Sequence, residues 1–184
     1  MWQVGTWVNR RRDAVYPLDV RLFPVLEDMR LTPRSRIVWT PRHGLHATRR
    51  LSGRHESMLC FTKDRDDETF DFRLDAVRAP QLHSGKRHYK GRKKGELRCH
   101  ELGKNPGDAW DDITPVKANH LERTGHPVQM PLALAERVIH MTTQPGDLIL
   151  GPFSGACITV VAARMLGRSA AGADLNAKYL GYGE

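Results

Sequence analysis

Residues 146–179 read GDLILGPFSGACITVVAARMLGRSAAGADLNAKY, and their pattern is strand, tight loop, helix, strand. Gly146-Asp147 marks a turn, and Leu148-Ile149-Leu150 is a short apolar run of the kind that parallel sheets bury. Residues 151–157 form a loop of small side chains around Phe153. From Ile158 to Leu166 the spacing is helical, with Val160, Val161 and Met165 on one face, Ala162 and Ala163 allowing close packing, and Gly167 placed to end the helix. Ser169 to Ala173 predicts a second strand, with Asp174 at its carboxyl tip.

A small-residue loop between strand and helix lets a ligand approach the backbone, and the helix N-terminus offers free N–H groups. An acidic residue after the second strand can accept hydrogen bonds from both ribose hydroxyls, and Gly155 to Asp174 has the spacing of that arrangement. A βαβ unit with a plain turn and a solvated aspartate would carry the same pattern, so the loop alone does not decide.

The rest of the chain does more. His126-Pro127-Val128-Gln129-Met130-Pro131 precedes an amphipathic stretch, Leu132 to Met141, whose first turn follows a proline that has no N–H to lose. Upstream stand Tyr16-Pro17-Leu18-Asp19, His43-Gly44-Leu45-His46, Ser52-Gly53-Arg54-His55-Glu56, Phe61-Thr62-Lys63, Gly85-Lys86-Arg87-His88-Tyr89-Lys90-Gly91 and Gly103-Lys104-Asn105-Pro106-Gly107-Asp108. In this order, from about Val4 to Tyr182, these segments resemble an amino-DNA methyltransferase of the β motif order. The resemblance implies an α/β fold with an incomplete Rossmann-like sheet, interrupted by a basic, loop-rich target-recognition insertion. It implies S-adenosyl-L-methionine as cofactor, held by Pro152, Phe153, Gly155, Asp174, His126 and Gln129. The reaction it implies is methyl transfer to adenine N6 or cytosine N4 of double-stranded DNA, within restriction-modification.

Charge supports a polyanionic partner. The formal net charge is +8, and His83 to Lys104 holds eight Lys or Arg against two Glu, which is +6 of it. This stretch has almost no large apolar residue and cannot build a core. Lys86, Arg87, Lys90, Arg92, Lys93 and Lys94 are expected to neutralise phosphates, and His88 and Tyr89 to meet a base. A solvated linker is the alternative for any isolated charge run. His83, His88, Cys99 and His100 match no familiar zinc-ligand spacing, so no metal is expected.

Two parallel strands cannot stand alone, because parallel sheets need both faces covered. Ser35–Thr40 and Ser57–Thr62, short apolar runs with polar borders, are the candidates to complete the sheet from upstream. Pro24 is expected to kink or shorten a helix over Leu18 to Met29. The organisation expected is one domain in three parts: a partial catalytic-side region at 1–78, the basic recognition segment at 79–120, and the cofactor region at 121–184. With three widely spaced cysteines and no apolar run near the roughly 20 residues of a membrane span, a reduced cytoplasmic setting is expected.

An exocyclic amine is a weak nucleophile, and the resembled family grips it with an Asp/Asn/Ser-Pro-Pro-Tyr/Phe tetrapeptide. The chain contains no Pro-Pro pair, so no residue is assigned to catalysis, and the permuted order places that tetrapeptide upstream of Val4. This chain is therefore expected to be a carboxyl-terminal portion, acting with a complementary subunit that carries the tetrapeptide, or else a silent DNA-binding remnant. Gly151 stands where the family has Asp, and Cys157 where it has the last loop glycine. A side chain at Cys157 implies strain if its φ is positive.

Overall fold

Asn9 turns the chain back on itself near the N-terminus. Its Oδ1 accepts from the backbone N–H groups of Arg11 (3.1 Å) and Arg12 (3.3 Å), and Asp13 adopts φ 48° to close the turn. The computed structural model describes residues 1–41, 46–63 and 70–183. It divides into two units, Met1–Phe70 with Asp108–Gly125, and Asp71–Gly107 with His126–Glu184. The His43-Gly44-Leu45 part of the second upstream motif, and residues 64–68 of a charged turn that the sequence predicts from Lys63 to Glu68, lie outside the described residues.

In the first unit, strand β1 (Trp2–Val4) is followed by a hairpin of β2 (Thr6–Asn9) and β3 (Ala14–Pro17). The hairpin sets Trp7 opposite Tyr16, with ring centroids 5.1 Å apart. Helix α1 (Leu18–Asp28) carries Pro24 in its interior and runs on past it, ending one residue short of the expected Met29. Strands β4 (Thr32–Trp39), β5 (Glu56–Thr62) and β6 (Ala109–Trp110) join β1 in a four-stranded sheet ordered β1-β5-β4-β6. Its buried side chains include Ile37, Trp39, Met58, Leu59 and Trp110, and Ile113 after β6 and Leu26 of α1 are buried as well. The buried Trp39 indole needs an acceptor and finds the Ile113 carbonyl at 2.9 Å.

Asp19 is the buried acid of this unit. It accepts from Arg36 Nε at 3.0 Å and Ser57 Oγ at 2.9 Å, and pairs also with Arg36 Nη2. These contacts tie α1 to both β4 and β5. Burial alone would raise the Asp19 pKa, but the hydrogen bonds from Arg36 and Ser57 outweigh it and hold the carboxyl below its ordinary value.

The second unit holds α2 (Leu132–Thr142), β7 (Leu148–Gly151), α3 (Ile158–Met165), β8 (Ser169–Gly172) and α4 (Ala177–Leu180). The βαβ unit forms as the spacing predicts, with β7 and β8 parallel and in register from Leu148↔Ser169 to Gly151↔Gly172. Ala135 and Ile139 of α2 pack on Ala162 and Ala163 of α3 in a core that also takes Ala156 and Ile158. Alanines let the two helices approach closely. Arg168 is buried with no carboxylate partner among the described residues, and spends its guanidinium on Thr143 Oγ1 (3.2 Å), the Thr143 carbonyl (2.9 Å) and the Leu166 carbonyl. It thereby satisfies carbonyls left open at the ends of α2 and α3.

Two expectations fail here. β4 and β5 do form, but Trp39 and Phe61 belong to the four-stranded sheet, and β7-β8 is a separate two-stranded sheet. The reason is visible on β4. One edge is paired antiparallel with β5, and at its carboxyl end the other is taken by the segment around β6, through Val38 N–H to the Asp108 carbonyl (2.7 Å) and Thr40 N–H to the Trp110 carbonyl (2.8 Å). β7 is also not buried on both faces. Ile149 turns towards the helices, whereas Leu148 and Leu150 are 64% and 68% exposed. An all-apolar strand marks a position that two layers would cover, and here one layer does so.

Candidate nucleoside cradle and basic finger

Gly151 and Gly172 close the mouth of the βαβ unit around Ser154. A Cβ on Gly172 would lie 2.3 Å from Ser154 Oγ, and one on Gly151 would lie 3.0 Å from it. Ser154 Oγ donates to the Gly151 carbonyl at 2.6 Å, and its N–H to the Ala173 carbonyl at 2.8 Å. The serine thus fills the volume that a side chain at Gly151 would need, which is a steric context for the glycine there.

Beyond Ser154 the chain passes through two left-handed residues on either side of Ala156, Gly155 (φ 50°) and Cys157 (φ 58°, ψ 18°), before α3 begins. The sequence-based expectation of strain at Cys157 is met. Its thiol is buried and lies 3.8–3.9 Å from the carbonyls of Gly155, Tyr179 and Leu180. Burial, reinforced by the Asp174 charge, pushes the Cys157 thiol pKa up.

Asp174 reaches back across this loop. One carboxylate oxygen accepts the Gly155 N–H at 2.8 Å and the other the Asn176 N–H at 2.9 Å. Those two amides, of which Asn176 contributes more, hold its carboxyl below the ordinary value, with a smaller contribution from His126. His126 stands over the glycine, so that a Cβ on Gly155 would come within 3.3 Å of the imidazole Nε2. The ring meets Tyr179 edge-on at 4.4 Å, and its Nδ1 accepts the Val128 N–H at 3.2 Å.

Of the predicted cofactor residues, Gly155, Asp174 and His126 therefore form one cluster. Pro152 and Phe153 project from the same loop, Phe153 being 79% exposed, and Gln129 lies half-buried on the segment leading to α2. An exposed aromatic ring, a bare glycine backbone and an oriented carboxylate suit the base, the phosphate-free sugar edge and the hydroxyls of an adenosine. Tyr179 and Ser154 complete the cluster. Tyr179 was legible only as part of the resemblance, and Ser154 carried no signal in the sequence.

The basic residues form an ordered finger. An antiparallel bridge between Ala79 and Lys104 closes its base, with Ala79 N–H to Lys104 carbonyl at 3.1 Å and Lys104 N–H to Ala79 carbonyl at 2.8 Å. Further out, Arg98 N–H meets the Lys86 carbonyl at 2.8 Å, and His88 N–H the Glu96 carbonyl at 3.0 Å. Gly91 (φ 79°) and Gly95 (φ 90°) turn the tip. Arg87 Nη1 donates to the Gly95 carbonyl at 2.6 Å, which spends part of its guanidinium on the finger itself. Lys86, Lys90, Arg92, Lys93 and Lys94 are exposed, Tyr89 is 76% exposed with Lys90 Nζ 5.4 Å from its ring centroid, and His88 is half-buried.

The pattern of one family spans almost the whole chain: the family described as DNA methylase, of the N6/N4 methyltransferase class, matches residues 5–183. The chain belongs to the DNA methylase family. It is 47% identical over 179 residues to the Type II methyltransferase M.BglII of Bacillus subtilis, a match that covers 97% of this chain and 48% of the relative. The chain spans about half the length of the curated methylases it matches. Among solved structures, the cytosine-N4-specific PvuII DNA methyltransferase shares the fold at a TM-score of 0.72 and 16% identity, over 98% of this chain and 60% of that one. The M1.HpyAVI–SAM complex does so at a TM-score of 0.57 and 22% identity, over 90% and 68%. The α/β class and the methylase resemblance are thereby established. Among the described residues no group of His, Cys, Asp and Glu is placed to hold a metal ion, and no helix is long and apolar enough to cross a membrane.

Proposed function

We propose that this chain is the cofactor- and target-handling part of an S-adenosyl-L-methionine-dependent DNA methyltransferase that modifies adenine N6 or cytosine N4. The observation that carries this reading is the carboxylate of Asp174, fixed by the Gly155 and Asn176 amides beside a glycine that His126 overhangs. The cofactor supplies an electrophilic methyl group on a sulfonium. Phe153 would give its adenine a face, Asp174 would take the ribose hydroxyls on its remaining lone pairs, and Gly155 would admit the backbone-close part of the ligand. His126 and Gln129 would border the methionine end, and Pro152 would stiffen the loop. The finger from Lys86 to Lys94 would bind the DNA backbone electrostatically, with His88 and Tyr89 next to the bases.

The amine still has to be gripped and aligned with the methyl group, and alignment supplies much of such a rate. We assign that task to a segment with a Pro-Pro-Tyr or Pro-Pro-Phe sequence on a complementary polypeptide. Calorimetry with S-adenosyl-L-methionine and transfer of labelled methyl to duplex DNA test the reading together. The expected result is cofactor binding by this chain alone, and labelled DNA only once a polypeptide carrying the tetrapeptide is added. Salt-sensitive DNA binding without any heat of cofactor binding would favour the silent DNA-binding remnant, the reading that the buried side chain at Cys157 supports.

A further inference from the structure

Within the finger lies an open cavity of about 510 Å³ with no carboxylate in its wall. Arg78, Lys86, Arg98 and Lys104 line it, with His83 and His100 between them. Of the four permanent cations, Arg78 is paired, through Nε to Asp75 at 2.6 Å. The same guanidinium donates through Nη1 to the Gly103 carbonyl at 3.2 Å, so it is held in place at the cavity edge. Arg98, Lys86 and Lys104 have no ion pair among the described residues. His100 accepts the Leu102 N–H on Nδ1, which leaves Nε2 as its donor.

Pockets of this size are ordinarily apolar with a few polar groups. Here four of the eleven lining residues are permanent cations and none is acidic, and like charges gathered in a concavity raise a positive potential that an anion relieves. The backbone is built to hold them together. The bridge at Ala79 and Lys104 holds the segments that carry Arg78 and Lys104 together, and Arg98 N–H to the Lys86 carbonyl does the same for the other two cations. The cavity is also continuous with the exposed finger, because Lys86 belongs to both.

We propose that this cavity seats a phosphodiester of the DNA backbone, with Arg98, Lys104, Lys86 and Arg78 as its donors. The proposal deepens the DNA-binding reading above and rests on it. Arg98 and Lys104 lie in the basic stretch but, like Arg78, are not among the residues that the sequence singles out for DNA, and the volume of about 510 Å³ has room for a sugar-phosphate step and not only a lone ion. The finger tip then supplies the outer contacts and the cavity the inner one, which fixes the finger's position on the duplex without reading bases.

Cys99 lines the same cavity and gives a direct readout. The other two thiols are poor competitors for alkylation: burial pushes Cys60 up to about 11, and Cys157 is buried and pushed up as well. The experiment measures binding of a fluorescent duplex to the full chain over a range of salt, together with N-ethylmaleimide labelling of Cys99 read by mass spectrometry. Wild type is compared with the double variant Arg98→Gln/Lys104→Gln and, as an equal loss of charge, Lys93→Gln/Lys94→Gln.

Duplex DNA is expected to slow Cys99 labelling at least tenfold in wild type and in the tip variant. The cavity variant is expected to lose that protection and to lower the slope of log affinity against log salt by about 0.9, the value for the one phosphate contact removed. If DNA binds but the cavity variant keeps both slope and protection, the cavity proposal fails and the finger reading stands. If wild type binds no DNA, both fail. If inorganic phosphate protects Cys99 at concentrations where DNA phosphates do not, the site belongs to a free anion and the backbone assignment is overturned.

Discussion

Substituting Gly103 by alanine should open the base of the finger without touching a single charge. Gly103 is buried at φ +116°, a backbone region that L-residues scarcely enter, and an added Cβ would lie 2.4 Å from the Ala79 carbonyl oxygen and 3.2 Å from its carbon. Relieving the strain or tolerating it costs about 1–3 kcal/mol. Moving the Cβ to an ordinary contact needs a backbone shift that breaks the paired bonds between Ala79 and Lys104, each worth about 1 kcal/mol. The Gly103 carbonyl would also leave Arg78, which it now meets at 3.2 Å. Together these give a local penalty of about 3 kcal/mol, confined to the finger because the α2–α3 core has no part in the bridge. Native-state hydrogen exchange reads it directly. The Lys104 and Ala79 amides of G103A should exchange on the order of a hundredfold faster, at about 1.4 kcal/mol per decade, while amides in α3 keep wild-type rates. Unchanged protection at Lys104 would show that the close approach does not hold the finger closed, and would remove the structural basis for placing Arg78 beside Lys104.

Two further outcomes follow from the buried acid and the buried thiol. Asp19→Ala should cost about 2 kcal/mol in urea unfolding at pH 7, less than loss of a fully buried ion pair, because Arg36 is 53% exposed and the stranded guanidinium can rehydrate. Since the folded Asp19 pKa lies below its ordinary 3.8, the wild-type advantage is complete above about pH 4 and is lost as the pH falls through the folded value, so the two proteins' stabilities should converge in acid. At Cys157, Gly suits the left-handed backbone and Ala does not, so C157G should be about 1 kcal/mol more stable than C157A, the reverse of the usual helix preference; equal stabilities in thermal unfolding would mean that φ 58° carries no strain.

The sequence made the βαβ unit legible because its signals are local: an apolar run, small loop residues, helical spacing and a closing glycine. The left-handed Cys157 was legible only through the resemblance, which places a glycine there. The partnership of strands was not. Ser35–Thr40 and Ser57–Thr62 are apolar on both sides, which is equally consistent with any buried sheet, and what decided their neighbours was a two-residue pairing at Ala109–Trp110, too short to leave a pattern. The hairpin at Thr6–Pro17 was hidden by its arginine-rich turn, which only the Asn9 side chain explains. The finger reads as a charged linker because its order comes from backbone bridges and glycine turns rather than from apolar side chains. For the same reason Arg78, Arg98 and Lys104, separated by up to 26 positions, gave no sign of converging.

Among the described residues, β7 pairs on one edge alone and turns Leu148 and Leu150 outward on an open face. An uncapped strand of this kind is a template for lateral recruitment of other extended chains. In the test tube, that makes colloidal behaviour a sensor of completeness: concentrated stocks of this polypeptide should form light-scattering assemblies, and a capping strand with an apolar face should clear them before any enzymology is attempted.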